Sequence, residues 1–147
     1  MTIINSFRNK YRFLSNFWPT EIVFEGIVYP SVEHAYQAAK TLHTEQRLQI
    51  KYAKTPGEAK RRGKKITIRD NWDFIKWNVM LTLVRLKFHN NAILKQALLD
   101  TGDAELVEGN TWGDVFWGVC NGKGENHLGK ILMKVREEIK TDDEQSN

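Results

Sequence analysis

Residues 20–40 read TEIVFEGIVYPSVEHAYQAAK and predict a hairpin followed directly by a helix. β-Branched and aromatic residues lie on both sides of Glu25-Gly26, which is typical of two strands joined by a tight turn. The Ser31 hydroxyl can then cap a helix that runs to about Leu42. The apolar stripe predicted for this helix consists of Val32, Ala35, Ala39 and Leu42.

Further helices are predicted along the rest of the chain. Thr55-Pro56-Gly57-Glu58 combines a capping threonine, a proline at the first helical position and a glutamate three residues after the cap, and Gly63 ends this short helix. The longest helix covers about 72–89, and a short one covers about 91–99. The stripe of the longest helix consists of Trp72, Ile75, Val79, Leu83 and Leu86.

The C-terminal part predicts a strand at 105–108, a glycine-rich loop and a closing amphipathic helix. That helix is marked by Leu128, Ile131, Leu132, Val135 and Ile139. Residues 141–147 are polar and are expected to form a disordered tail. The predicted fold class is therefore α+β, a helix-rich single domain over residues 1–140 with a small antiparallel β component.

Composition limits the class of protein. The chain has 147 residues, of which 41% are hydrophobic and 27% charged, as in one globular domain. Cys120 is the single cysteine, which excludes an internal disulfide, and the four histidines are scattered, so no metal is expected. The N-terminus lacks the apolar core of a signal peptide, and no segment has the apolar length of a membrane span. A cytoplasmic location is therefore expected.

Polar side chains suited to a site occur in two places in the first forty residues. Ser15 and Asn16 lie between apolar anchors in residues 13–19, where a buried turn is the alternative explanation. Glu33, Gln37 and Lys40 fall on one helical face, which is either a solvated surface or a catalytic face. His34 is interpreted as structural.

Residues 109–126 form a glycine-punctuated loop that contains Trp112, Asp114 and Trp117. Indole rings in such a loop can form an aromatic pocket for a planar heterocycle, although they can also fill the core beneath the loop. The basic run at residues 60–65 is either a solvated helix end or a phosphate contact. The net charge of +4 mildly favours anionic partners.

Several motifs, taken in order, resemble the NADAR (YbiA-like) family. They are FLSNFWP at 13–19, YPSVEHAYQAAK at 29–40, AKRRGK at 59–64, Trp77, WGD with the following Trp117-Gly118, and NHLGKILM at 126–133. The resemblance covers nearly the whole chain. It implies an N-glycosidase without a cofactor, acting on phosphorylated ribosylamino-pyrimidine intermediates of riboflavin synthesis or on ADP-ribosylated guanine, including guanine in nucleic acid.

The resemblance also implies site residues. Those that correspond to essential family positions are Glu33, Trp77, Asp114 and Trp117, and Lys40 is added as a further catalytic candidate. The substrate-binding candidates are Ser15, Asn16, Phe17, Arg62, Lys64, Trp77, Trp112, Gly113, Trp117 and Asn126. The sequence departs from the family at Trp18, where tyrosine is frequent, and at Lys64, where arginine is frequent. A lysine at 64 loses the bidentate grip that arginine has on a phosphate.

A mechanism follows for cleavage of a ribose–nitrogen bond. Glu33 and Asp114 are the predicted pair that stabilises the sugar cation or activates water and protonates the leaving nitrogen. Lys40 offers a second route through a Schiff base with the opened sugar. The alternatives are a binding module that holds ADP-ribose or a nucleotide without cleaving it, and a nucleic-acid-binding protein that uses the basic run. The oligomeric state is left open.

Overall fold

The computed structural model describes residues 2–146. Over this range the helices are α1 (Val32–Ala39), α2 (Thr44–Lys51), α3 (Pro56–Arg62), α4 (Trp72–His89), α5 (Ala92–Leu99) and α6 (His127–Ser146). The strands are β1 (Ile3–Ile4), β2 (Pro19–Phe24), β3 (Ile27–Ser31), β4 (Glu105–Leu106), β5 (Gly109–Asn110) and β6 (Val119–Cys120). A 3-10 helix covers Asn9–Leu14. Long helices and short strands confirm the predicted helix-rich α+β class.

None of these helices has both the length and the apolar content that a membrane span requires, as far as residues 2–146 are concerned. The chain forms two compact units, one of which is residues 16–87. In this unit the hairpin of β2 and β3, together with α2 and α3, packs around α1. α1 is therefore the central element of the unit.

The predicted hairpin is confirmed, including its turn. Phe24 pairs with Ile27, so Glu25 and Gly26 alone form the connection. Their φ angles are 48° and 83°, the left-handed conformation that a two-residue turn requires to match the twist of its strands. Ile22 pairs with Tyr29 and both side chains are buried, which sets one face of the hairpin against α1.

α1 begins as predicted and ends one turn earlier. The Ser31 hydroxyl accepts a hydrogen bond from the His34 amide at 3.1 Å, as the capping prediction requires. The helix ends at Ala39, and Leu42 is 66% exposed, so its place in the predicted apolar stripe is wrong. The Thr41 hydroxyl accepts from the His43 amide at 3.1 Å, a local turn that competes with further helix.

The other predicted helices of this unit are also present. The Thr55 hydroxyl accepts from the Glu58 amide at 3.1 Å, Pro56 is the first residue of α3, and the helix ends before Gly63 as predicted. α4 covers the predicted range, but its buried face is only partly the predicted one. Its buried apolar residues are Trp72, Met80, Leu81, Leu83, Val84 and Phe88, whereas Ile75, Val79 and Leu86 are half-buried. This helix has apolar residues of its own on all sides, so their spacing alone does not identify the side that is buried.

The second unit comprises, within the described range, residues 2–15 and 88–146. α6 packs against β4 and α5, and the 3-10 helix packs against α5. β1 pairs with β4 and β5 pairs with β6, and both pairings are parallel. The predicted antiparallel component is therefore confirmed for the hairpin, and the strand predicted at 105–108 is present as the shorter β4. The two parallel pairings were not predicted, because pairing between distant short strands leaves no local pattern in the sequence.

α6 buries its predicted apolar stripe. All five residues of the stripe are buried, namely Leu128, Ile131, Leu132, Val135 and Ile139. It then continues as helix to Ser146, whereas the sequence predicts a tail without regular structure from residue 141. Lys95 on α5 lies 3.2 Å from the Asp143 carboxylate, a contact that supports the last turns. Asn147, the last residue of the predicted tail, lies outside the described residues.

Candidate active site

The face of α1 that carries the predicted catalytic residues is buried. All eight residues of the helix are buried, with Glu33 only 7% exposed and Gln37 only 4% exposed. A solvated surface, which is one of the two explanations that spacing allows, is therefore excluded for these two side chains. A buried carboxylate needs partners to remain charged, so its contacts define the site.

The Glu33 carboxylate is held from its own helix. Gln37 Nε2 donates to Glu33 Oε1 at 2.9 Å. The Glu33 backbone amide donates to the carbonyl of Asn16 at 3.1 Å, which ties the motif at residues 13–19 to the first turn of α1. Asn16 also directs its side-chain amide towards the sulfur of Met80 at 3.5 Å. Glu33 and Asn16, both predicted site residues, are thus brought together.

Lys40 lies at the C-terminal end of the same helix and is half-buried. Its Nζ atom lies 5.5 Å from the centre of the Tyr36 ring, which in turn contacts Trp72 at a centroid distance of 5.2 Å. Burial lowers the pKa of Lys40, and the charges of Lys60, Lys76 and Lys64 lower it further, against the opposing effect of Glu33. A larger fraction of this amine is therefore uncharged at neutral pH than for an exposed lysine.

His34 is structural, as the sequence suggests. Its Nε2 lies 3.0 Å from the carbonyl of Ala53, so Nε2 carries the proton and donates. Nδ1 then accepts from the Ser31 hydroxyl at 2.7 Å. Burial lowers the pKa of His34 and keeps the ring neutral. The ring links the start of α1 to Ala53, two residues beyond the end of α2.

The basic run at the end of α3 is divided between two roles. The Arg62 guanidinium donates to Glu58 Oε1 at 2.8 Å within α3 and to the carbonyl of Gln49, and the second contact holds α3 to α2. Lys64 is exposed. Arg62 therefore has structural partners already, and Lys64 is the better placed of the two predicted phosphate contacts.

The remaining predicted residues near the hairpin and on α4 differ in exposure. Phe17 is 44% exposed, whereas Ser15 and Trp77 are half-buried. The Ser15 amide donates to the carbonyl of Arg12 at 3.0 Å and closes the 3-10 helix. Ser15 belongs to the unit that contains α6, and Phe17 and Trp77 belong to the unit built around α1.

Asp114 organises the glycine-rich loop of the other unit. Its Oδ1 accepts from the backbone amides of Phe116 at 3.2 Å and Trp117 at 2.9 Å. The Asn110 side chain accepts from the Asp114 amide at 3.0 Å and donates to its carbonyl at 2.8 Å. Asp114 therefore has a structural task in addition to any chemical one.

The two tryptophans of this loop differ in solvent exposure. Trp112 is 56% exposed, which excludes a core-filling role for it, and the neighbouring Gly113 is exposed with φ at 85°. Trp117 is half-buried and meets the Phe116 ring edge-on at 4.8 Å, while Phe116 lies 4.5 Å from the His127 ring. Aromatic faces on this loop are thus available to a flat ligand to different degrees.

Asn126 is buried and its amide is used by the backbone. Its Oδ1 accepts from the Glu108 amide at 2.9 Å and its Nδ2 donates to the carbonyl of Leu106 at 2.9 Å. A side chain on Gly129 would overlap the Asn126 amide, which explains the glycine in that motif. The contacts of Asn126 are those of a residue that holds the loop, and its predicted contact with substrate stays a prediction.

Two polar residues of interest were not singled out by the sequence patterns. Spacing predicts only the helical face on which Gln37 lies, and Glu108 falls at the end of the strand predicted at 105–108 without a predicted role in the site. Glu108 accepts from Asn110 Nδ2 at 3.0 Å, beside Gly118, whose missing side chain leaves room for the Glu108 carboxylate. Gln37 lies next to Gly63 and Glu108 lies next to Gly118, and both glycines are buried. Within residues 2–146, no group of three His, Cys, Asp or Glu side chains is arranged to hold a metal ion.

A family model described as the NADAR domain matches residues 4–140 of this chain. The chain belongs to the NADAR family, which confirms the resemblance seen in its motifs. Its fold is similar to the NMR structure of the Escherichia coli protein YbiA, with a TM-score of 0.84 and 37% identity over 97% of this chain and 87% of that one.

Several bacterial proteins are similar in sequence to this chain. N-glycosidase YbiA of Shigella boydii is 40% identical over 94% of this chain and 89% of its own length. N-glycosidase Npun_R5314 of Nostoc punctiforme is 42% identical over 88% of this chain and 86% of its own. Riboflavin biosynthesis protein VVA0006 of Vibrio vulnificus is 40% identical over 88% of this chain, which corresponds to 36% of that longer protein.

Proposed function

We propose that this chain is an N-glycosidase that hydrolyses the ribose–base bond of a phosphorylated ribosylamino-pyrimidine, an intermediate of riboflavin synthesis. The observation that carries the proposal is the buried Glu33 carboxylate, held by Gln37 on α1, the helix that Lys40 follows directly. The names of the relatives, N-glycosidase and riboflavin biosynthesis protein, support the reaction and the class of substrate.

Hydrolysis requires that two changes of charge be stabilised. As the bond between the anomeric carbon and the base nitrogen breaks, its electron pair leaves with the nitrogen and positive charge builds on the sugar. Glu33 stabilises that positive charge and takes a proton from the water whose oxygen bonds to the anomeric carbon. The departing nitrogen takes up a proton, and Asp114 is the residue proposed to supply it.

Lys40 offers a covalent route on the same helix. Its uncharged amine can bond to the anomeric carbon of the opened sugar while the base departs, which forms a Schiff base. Water then adds to that carbon and releases the amine. The lowered pKa of Lys40 supports this role, because only the uncharged amine is nucleophilic.

Borohydride added during turnover is expected to trap a sugar adduct on the peptide that contains Lys40. Trapping should rise with pH and level off below pH 10.5, the ordinary lysine pKa, because burial lowers the pKa of this amine. Peptide mass spectrometry measures the adduct. Lys65→Gln, at an exposed lysine of the neighbouring basic run, should trap as much as the parent. If the Lys40 peptide gains no mass, the covalent route is excluded.

Trp117→Ala is expected to raise KM about tenfold, because base stacking on an aromatic ring contributes about 1–3 kcal/mol. kcat should change much less. Steady-state kinetics of base release measure both constants, and Trp117→Phe is the matched control because it keeps a ring to face Phe116 and His127. A KM equal to that of the parent would remove Trp117 from substrate binding.

Ribosylamino-pyrimidine phosphates and ADP-ribosylated guanine both contain a ribose–nitrogen bond, and one experiment distinguishes these two substrate classes. The protein is incubated with a ribosylamino-pyrimidine phosphate and, separately, with ADP-ribosylated guanosine, and kcat/KM is measured by mass spectrometry of the released base. We expect the pyrimidine substrate to have the higher kcat/KM. A higher value for ADP-ribosylated guanosine would keep the N-glycosidase reaction but replace the proposed substrate.

A further inference from the structure

The side-chain amide of Gln37 is fixed in one orientation. Its Nε2 donates to the Glu33 carboxylate, so its Oε1 must point the other way, because two acceptors facing each other would repel. Oε1 is buried and, among residues 2–146, has no hydrogen-bond partner. A residue needed only for packing would be better as leucine or methionine, which have no oxygen to leave unpartnered.

Gly63 lies directly against this oxygen. A Cβ atom on Gly63 would overlap both Oε1 and Cδ of Gln37. Gly63 has φ at −61°, a conformation that any residue adopts, so its backbone does not require glycine. The reason for the glycine is the close approach of the Gln37 amide, and a Cα hydrogen of Gly63 faces Oε1 as a weak donor.

We propose that Gln37 and Gly63 are positioning residues that hold the Glu33 carboxylate in its reactive orientation. This inference rests on the proposed function, in which Glu33 acts on the sugar. Gly63 provides the space that lets the Gln37 amide lie in line with Glu33. Gln37 then uses its N–H to fix the carboxylate, as a supporting residue does for a group whose geometry decides the rate.

Gly63→Ala and Gln37→Leu should therefore have similar effects. The alanine methyl displaces the Gln37 amide, and the leucine removes it. We expect each variant to lower kcat about 10- to 100-fold, as small misplacements of catalytic groups do, with KM within about twofold of the parent. Gly57→Ala is the matched control, because its Cβ would have 3.8 Å to the nearest atom and no contact with Gln37.

A double-mutant cycle tests the contact between the two residues. In a Gln37→Ala background there is no amide to displace, so adding Gly63→Ala should lower kcat by less than about twofold. NMR gives a readout without turnover. The Gln37 side-chain amide signal, assigned by its loss in Gln37→Leu, should shift in Gly63→Ala and in Glu33→Ala but not in Gly57→Ala.

Parental kcat in Gly63→Ala with an unmoved Gln37 amide signal would overturn the inference, as would an equal loss from Gly63→Ala with and without Gln37. If Gly63→Ala does not fold, Gln37→Leu decides alone, since it removes the amide and leaves Gly63 unchanged, and parental kcat in that variant overturns the inference. Parental turnover by Glu33→Gln would instead remove Glu33 from the chemistry, and with it the catalytic meaning of the contact, while the N-glycosidase reaction itself would stand. The proposed function would be overturned separately, by a parent protein that releases no base. The NMR signal would in that case still report whether Gly63 fixes the Gln37 amide.

Discussion

The Glu33→Gln variant is expected to fold normally and to release base at least about 100-fold more slowly than the parent, the scale of a lost acid–base group. The new amide has the size of the carboxylate. Its oxygen can still accept a hydrogen bond from Gln37 Nε2, which in the parent donates to Glu33 Oε1 at 2.9 Å. The negative charge is lost. The measurement is kcat by chromatography of released base, together with the thermal unfolding midpoint.

Glu21→Gln is the matched control, because Glu21 is an exposed carboxylate on β2 in the same unit. Its kcat should equal that of the parent. Parental kcat in Glu33→Gln would show that the buried carboxylate has no part in the chemistry. A variant that is slow because it is unfolded would be recognised by its unfolding midpoint.

The second large effect is expected at Asp114. Asp114→Asn should lower kcat by at least about 100-fold through loss of the proton donor. The loop should survive, because asparagine keeps an Oδ1 that can accept from the amides of Phe116 and Trp117. Asp114→Ala loses that acceptor as well and should lower the free energy of unfolding by about 1–2 kcal/mol. Kinetics and denaturant titration of the two variants separate chemistry from structure.

Asp103→Asn, at an exposed carboxylate in the same unit, is the control for Asp114 and should behave like the parent in both measurements. Parental turnover in Asp114→Asn combined with a destabilised Asp114→Ala would leave Asp114 with its loop-forming role alone. The acid would then have to be sought elsewhere.

Most of the secondary structure could be predicted because its signals are local. The Glu25-Gly26 turn requires left-handed backbone, and Ser31 and Thr55 cap helices through hydroxyls close to the amides they bond. α2 was not predicted because its sequence is mostly polar. The buried face of α4 and the end of α1 depend on tertiary packing, which periodicity does not contain.

The candidate site could be predicted only in part. Motif resemblance predicts Glu33 and Asp114 as site residues, but spacing alone leaves the α1 face as either solvated or catalytic. Burial excludes the solvated surface for Glu33 and Gln37, and the catalytic role of this face stays a prediction. The contact between Gln37 and Gly63 spans 26 positions of chain, and no local pattern reports it. The lowered pKa of Lys40 likewise depends first on its burial and then on the nearby charges of Lys60 and Lys76, which only the fold provides.

The most direct test of the central claim is a count of bonds broken. The protein is mixed with an excess of ribosylamino-pyrimidine phosphate, and the free base and sugar phosphate are quantified by mass spectrometry over time. Many equivalents of each product per protein molecule, in equal amounts, are predicted for an N-glycosidase. Saturable binding of the intact compound by calorimetry with no release of base would contradict the claim and identify a binding module.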